Sequence, residues 1–162
     1  MKIGVLSDSH NNVTNIQTAL AAFRMEGIGT IIHCGDLTSK ETAATLGGFQ
    51  VIHTIGNGDA DAGSIRQALK GLNADNFSAH VFTGELGGVS IAVTHGHLNG
   101  KVEELVHSGL YRYVFFGHSH HRQDQEYGDC RAINPGALGQ RADRHTALII
   151  ELDSGDSRTV YV

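Results

Sequence analysis

Lys2-Ile3-Gly4-Val5-Leu6-Ser7-Asp8-Ser9-His10 opens the chain, and Thr30-Ile31-Ile32-His33-Cys34-Gly35-Asp36 repeats its plan. Each stretch is an apolar run that turns polar at its end. Short apolar runs bounded by turn residues read as buried strands. Between them the period changes. Val13, Ile16, Leu20 and Phe23 are spaced 3, 4 and 3, one face of an amphipathic helix. Asn11 or Asn12 can cap its start and Gly27 can end it. The alternation continues with a helix over 40–46, a strand over 51–55 and a helix over roughly 64–72. A β-α-β-α-β order implies a parallel sheet with crossover helices.

Further along the pattern loosens. Strands are expected over 79–84, 90–94, 113–116, 131–133, 146–152 and 158–162, with one short helix over 102–106. The turn Glu85-Leu86-Gly87-Gly88 separates two strands as a hairpin would. With 162 residues, the chain is close to one domain of ~150 residues. The reading is a single α/β domain over 1–162, parallel at first and more antiparallel later.

Composition excludes several classes. Apolar residues make up 40% and charged residues 18%, enough to build a core rather than a disordered chain. No apolar run approaches 18 residues, so no membrane-spanning helix is expected. The opening apolar run is too short for a secretory signal. Cys34 and Cys130 form no CxxC pair, which favours free thiols and a cytoplasmic protein. The net charge is −5 with scattered Lys and Arg, so general nucleic-acid binding is not expected. Arg141, Arg144 and His145 come nearest to a basic patch. The eleven histidines point instead to metal chemistry.

Five apolar runs end in polar groups, mostly beside glycine. Asp8 and His10 follow the first, Gly35-Asp36 the second and Gly56-Asn57-Gly58-Asp59 the third. His95-Gly96-His97 and Gly117-His118-Ser119-His120 follow two later ones. Ligands of open α/β sheets bind beyond the carboxyl ends of strands, so these loops are expected to converge. Asp8, His10, Asp36, Asn57, His95, His118 and His120 offer oxygen and imidazole donors. Such a set suits divalent Mn, Fe, Zn or Ni. Seven donors exceed one tetrahedral zinc and fit two metals sharing a carboxylate. Singly, each piece has a bland reading: a helix cap, a turn, or histidines clustered by chance. Their order, each at a strand end, is what carries the site.

With these motifs in place, the chain resembles the calcineurin-like metallophosphoesterase superfamily, and within it the small single-domain phosphodiesterase branch. The ordered signature D-x-H, G-D, G-N-x-D, H-G and G-H-x-H stands here as Asp8-Ser9-His10, Gly35-Asp36, Gly56-Asn57-Gly58-Asp59, His95-Gly96 and Gly117-His118-Ser119-His120. Asn134-Pro135-Gly136-Ala137 adds to the likeness, with Ala137 where the branch usually has serine. The resemblance implies a two-sheet β-sandwich flanked by helices, in four layers. It implies one divalent ion on Asp8, His10, Asp36 and His120, and another on Asp36, Asn57, His95 and His118. Asp36 would bridge, and a hydroxide held between the ions would attack phosphorus. Mn2+ is the expected metal, with Ni2+, Fe2+ or Zn2+ as alternatives. The expected partner is a small phosphorylated substrate, with no membrane, and a homodimer is a common arrangement.

Gly58 departs from many members of the family, which carry a histidine after the metal-binding asparagine. Glycine donates no side-chain proton. A missing general acid costs ~10²–10⁴-fold. His97 is the nearest substitute, with a hydrogen-bonding role behind the ligands as its other reading. Cys34 reads as a small apolar filler, with a soft zinc-favouring ligand as the alternative. Asp59 reads as a helix cap or a loop tie. His33 and His53 read as packed strand residues, and His80, His107, His121, Arg122 and His145 as surface. No P-loop and no G-x-S-x-G is present, no G-x-G-x-x-G follows the first strand, and His10 stands where a D-x-D aspartyl nucleophile motif would have its second Asp. The expected function is thus metal-dependent phosphodiester hydrolysis. The alternatives are a phosphomonoesterase or nucleotide hydrolase on the same site, or a non-catalytic protein-binding scaffold like the retromer subunit of this fold.

Overall fold

Alternation of side chains along the strands places two apolar faces on each sheet. In β1 (Lys2–Leu6), Ile3 and Val5 point to one side, while Gly4 and Leu6 point to the other. The computed structural model describes residues 1–139, 142 and 144–162. Arg141, part of the weak basic group noted above, lies outside the described residues.

The first sheet continues from β1 through β2 (Thr30–His33), β3 (Gln50–Thr54) and β4 (Phe77–Ala79), all parallel. The second sheet holds β5 (Val81–Leu86), β6 (Val89–Thr94), β7 (Tyr113–Phe115), β8 (Gln123–Tyr127) and β9 (Cys130–Asn134), in the order β5-β6-β7-β9-β8. Its β6, β7 and β9 run parallel, with antiparallel β5 and β8 at the edges. The chain then returns to the first sheet. There β10 (Thr146–Glu151) pairs antiparallel with β1, and β11 (Ser157–Tyr161) closes that edge.

Ile3, Val5, Ile32 and Ile52 of the first sheet pack against Ile91, Val93, Tyr113 and Phe115 of the second. This is the inner layer of the sandwich. On the outer face of the first sheet lie α1 (Val13–Met25), α2 (Lys40–Ala44) and α3 (Ala62–Leu72), with Ile16, Leu20, Phe23 and Ile65 buried. The Phe23 ring lies where a side chain on residue 4 would be, which is why Gly4 stands there. On the outer face of the second sheet, α4 (Lys101–Val106) covers Ala92, Val114 and Ala132. The result is the expected four-layer arrangement of two sheets between helices.

Three local details differ from expectation. The stretch read as one strand over 79–84 is two: β4 and β5 belong to different sheets, with His80 between them. Polar β8 was not anticipated, because all five of its residues are exposed and show no apolar alternation. The hairpin turn is only Gly87-Gly88, both with positive φ, and Leu86 pairs directly with Val89. Two successive positive-φ residues are the requirement of a tight hairpin turn.

Candidate metal centre

Parallel strands bring their carboxyl ends to one edge, and the two sheets place those edges together. The junction is tied across the sandwich. His118 N–H donates to Asp8 Oδ2 at 3.0 Å, while within the second sheet Gly117 N–H donates to His95 O at 2.9 Å. The loop after β9 pins the loop after β1 through Gly139 N–H to Asp8 O at 2.8 Å. A Cβ at residue 117 would fall onto Ser7 Oγ, so only glycine lets these loops close up.

Asp8, His10, Asp36 and His120 each aim one donor atom inward, all within 4.8 Å of one another. His10 Nε2 and His120 Nε2 are 3.3 Å apart, His120 Nε2 lies 3.3 Å from Asp8 Oδ1, and His10 Nε2 lies 3.5 Å from Asp36 Oδ2. Asp8 is fully buried, and its Oδ1 has no hydrogen-bond partner. A buried carboxylate oxygen left bare is costly unless a cation meets it. The donor set and this orphaned oxygen fit a divalent ion.

Asp36 turns its other oxygen the opposite way. Oδ1 accepts from Gly58 N–H at 2.6 Å and lies 3.4 Å from His95 Nε2. His95 Nε2 is also 3.2 Å from Asn57 Oδ1. Its Nδ1 faces Cys34 O at 2.7 Å. A carbonyl only accepts, so that contact assigns the proton to Nδ1 and leaves Nε2 as the lone-pair nitrogen of the neutral ring. The His118 ring stands beside His95 at 5.1 Å between centroids. The seven sequence candidates therefore come together, four in a tight group and Asn57, His95 and His118 alongside. His97 borders the second set, with ring centroids 5.4 Å from His95 and 6.4 Å from His118.

The sequence signature and this convergence agree with a direct comparison. A model of the calcineurin-like phosphoesterase superfamily domain matches residues 1–155. The chain belongs to the calcineurin-like phosphoesterase superfamily. Phosphodiesterase MJ0936 of Methanocaldococcus jannaschii is 36% identical, with 100% of this chain and 99% of that protein covered. The solved structure of an archaeal phosphodiesterase, described as novel, superposes with a TM-score of 0.94 at 32% identity, covering 100% of both chains. A probable metallophosphoesterase of Bacillus subtilis, YsnB, is 29% identical over 98% of this chain and 89% of its own length. Calcineurin-like phosphoesterases use divalent metals, and the donor cluster of this superfamily member is of the matching kind.

Backbone strain marks the same loops. Among the described residues, seven non-glycine residues have positive φ: Asp8, His10, Asn11, Asp36, Thr38, His118 and His120. Five of them are sequence candidates for metal ligands. Side chains with Cβ enter this region reluctantly, and such residues gather where surroundings over-determine the conformation.

Supporting residues hold these loops, and the role of Ser7 has no signal in the sequence. Ser7 Oγ–H donates to Asp8 Oδ2 at 2.5 Å. Asn134 Nδ2 donates to Gly117 O at 2.9 Å and to Ser119 Oγ at 3.1 Å, clamping the His118 loop. The only sequence signal for Asn134 was its place in Asn-Pro-Gly-Ala. Asp59 is a loop tie and not a cap. Its carboxylate accepts from Asp36 N–H at 3.1 Å, Gly56 N–H at 2.8 Å and Thr38 N–H at 2.7 Å, while Asp61 caps α3 through Ser64 N–H. His53 Nε2 lies 3.3 Å from Asp59 Oδ2, within ion-pair range but off the line of a good hydrogen bond. His33 is packed, as expected. Its Nδ1 accepts from Gly35 N–H, so its proton sits on Nε2, facing Ser9 Oγ at 3.0 Å. Cys34 and Cys130 are free and buried, and Cys34 joins the inner core as a filler. His145, read as surface, is half-buried, with Nδ1 shut off from solvent.

Charge in the site follows from these contacts. Burial raises the Asp8 pKa and outweighs the Ser7 hydrogen bond and the nearby His95 and His120. Burial works the same way on Asp36, but His95 and the Gly58 N–H more than offset it, so its pKa falls. Burial would lower the His95 pKa, yet Asp36 and Asp8 bring it above the usual value. His97 is lowered by burial and then by the imidazoles of His95, His80 and His118.

Proposed function

We propose that the chain hydrolyses phosphodiesters with a dinuclear divalent-metal centre. The observation that supports this reading is the Asp36 carboxylate, which turns Oδ2 toward His10 and Oδ1 toward His95 and the Gly58 N–H. On this reading Asp8, His10 and His120 complete one site, and Asn57, His95 and His118 the other, with Asp36 shared. These residues would hold divalent ions, which when bound would supply polarisation of phosphoryl oxygens and a water of lowered pKa; Mn2+ is the favoured ion, with Ni2+, Fe2+ and Zn2+ as alternatives.

The chain's own residues then do the positioning. Ser7 Oγ–H and His118 N–H hold Asp8 Oδ2, leaving Oδ1 for the ion. Cys34 O fixes the His95 tautomer so that Nε2 faces the site. Partners of this kind orient a ligand and raise its basicity. Gly58 leaves the position after Asn57 without a side-chain donor. His97 takes the neighbouring role. With its pKa lowered, the ring is mostly uncharged near neutral pH and donates a hydrogen bond to the leaving-group oxygen rather than delivering a proton from a cation. Such help suits a diester with a good leaving group. The scaffold alternative is disfavoured because all seven candidate residues are present and converge.

The test combines metal stoichiometry with turnover. Calorimetric titration with Mn2+ should find two ions per chain, and Asp36→Asn should weaken both sites. The loaded protein should hydrolyse bis(4-nitrophenyl) phosphate faster than 4-nitrophenyl phosphate. Uptake of one ion or none overturns the dinuclear reading. Loaded protein that turns over neither ester overturns the enzyme.

A further inference from the structure

A cleft of about 370 Å³ opens beside the candidate metal centre, on the α4 side of the second sheet. That size falls within the range of small-molecule sites. Its inner end is made by Gly96, Gly117 and His118, so it begins at the second donor set itself. Its lining is mixed, with apolar and aromatic side chains beside polar ones. Val102 and Val106 come from α4, Phe116 and Ala132 from the second-sheet side, and Tyr127 from the exposed edge strand β8. The Tyr127 ring meets the His107 ring edge-on at 5.7 Å between centroids. Beyond them a second hollow continues over Gly128 and Asp129 and shares Val106, His107 and Tyr127 with the first.

The charge of this groove limits what it can hold. Among the described residues, none of those lining either hollow is Lys or Arg, and Glu103 and Asp129 add negative charge. A chain of successive phosphates needs cations along its path. An uncharged ring needs an apolar surface and an aromatic neighbour, which Val102, Val106, Phe116 and Tyr127 supply on one side of this cleft. We propose that the cleft seats an uncharged ring carried on one ester of the diester. The preferred substrate is then a small ring-bearing diester and not a polynucleotide. This specificity rests on the phosphodiesterase reading above and assigns Tyr127 as a residue that sets it. Small Ala132 leaves the floor open, and Gln123 and Asn99 offer amides at the rim.

The test separates the ring from the phosphate. In metal-loaded protein, Tyr127→Ala should raise KM for bis(4-nitrophenyl) phosphate roughly five- to tenfold, the value of a lost aromatic contact, with little change in kcat. A ring-free diester, O-methyl S-ethyl phosphorothioate followed by thiol release, should show the same KM in both proteins. Equal shifts for the two substrates, or none, overturn the cleft assignment. A binding arm does not depend on turnover. Titrating metal-free protein with diphenyl phosphate should move the amide resonances of Gly100, Gln123 and Tyr127, and dimethyl phosphate should not. Absence of those shifts overturns the ring site. Shifts in a protein that, fully loaded with Mn2+, hydrolyses neither diester would retain a ring-binding cleft but overturn its role in substrate choice, and the fault would lie with the phosphodiesterase reading.

Discussion

Asp59→Asn changes one oxygen to an amide in a place where that difference can be worked out bond by bond. Asp59 is almost fully buried, and its Oδ2 accepts from Asp36 N–H and Gly56 N–H while Oδ1 accepts from Thr38 N–H. An asparagine must turn its NH2 toward one side. The better orientation sets it against Thr38, losing one charge-assisted bond and leaving two ordinary ones. Bonds to a charged acceptor contribute ~1.5–3 kcal/mol and neutral ones ~0.5–1.5 kcal/mol, so losing one and weakening two costs about 5 kcal/mol at mid-range. The same bonds hold the Asp36 loop and the Asn57 loop in register, so Mn2+ affinity should fall roughly 10–100-fold. Urea unfolding at pH 7 measures the first effect and calorimetry the second. The sign with pH is also fixed. Burial would raise the Asp59 pKa, but His53 and the backbone N–H groups hold it far below the usual carboxylate range. Its stabilisation is therefore present above pH ~4 and is lost as pH falls further. The gap between wild type and variant should be constant from pH 7 to about 4 and narrow below that. A variant within about 0.5 kcal/mol of wild type at pH 7, the range of an ordinary surface change, would refute the loop-tie argument.

Other outcomes follow from single contacts. Burial, then the adjacent His53, lowers the His33 pKa to about 3. The unfolded chain binds that proton first, so stability should fall by about 1.4 kcal/mol per pH unit below pH 6.5; the slope of urea midpoints against pH should flatten in His33→Gln. Gly117→Ala places a Cβ on Ser7 Oγ and 2.6 Å from Asp8 Oδ2. Thermal unfolding should register an overpacking cost of about 1–3 kcal/mol, and an unchanged midpoint would mean the loops yield freely. In Gly58→His the new Cβ would sit 3.0 Å from Asp36 Cγ and Oδ1. The carboxylate must give way by a few tenths of an ångström, so Mn2+ binding should weaken roughly tenfold by calorimetry, and tighter binding would contradict the close packing argued for this glycine.

The parallel first sheet was legible because β1, β2 and β3 are continuous apolar runs flanked by turn residues. The candidate site was legible because ligand-bearing residues must stand at strand ends, where the apolar run visibly stops. Position in three dimensions was harder. Nothing local in Phe77–Leu86 marks the change of sheet at His80. Polar β8 is held by its backbone ladder to β9, and its side chains give no periodic signal. Asn134 and Asp59 act through backbone groups distant in sequence, so their roles exist only once the loops meet. The histidine excess was a coarse guide. His33 and His53 are buried structural groups, while His10, His95, His118 and His120 cluster at the candidate centre.

The positive-φ residues have an evolutionary consequence. A side chain in the left-handed region costs about 1 kcal/mol or more, and seven such residues stand in these loops. Their summed cost is comparable with the whole ~5–15 kcal/mol by which a domain is stable. Selection for the site is thus working against selection for durability. A lineage freed from chemistry could replace His10 or His120, which are not fully buried, with glycine and become sturdier at once. Ligand loss in such a descendant would be thermodynamically downhill, and regaining the site would require the strain to be restored one residue at a time.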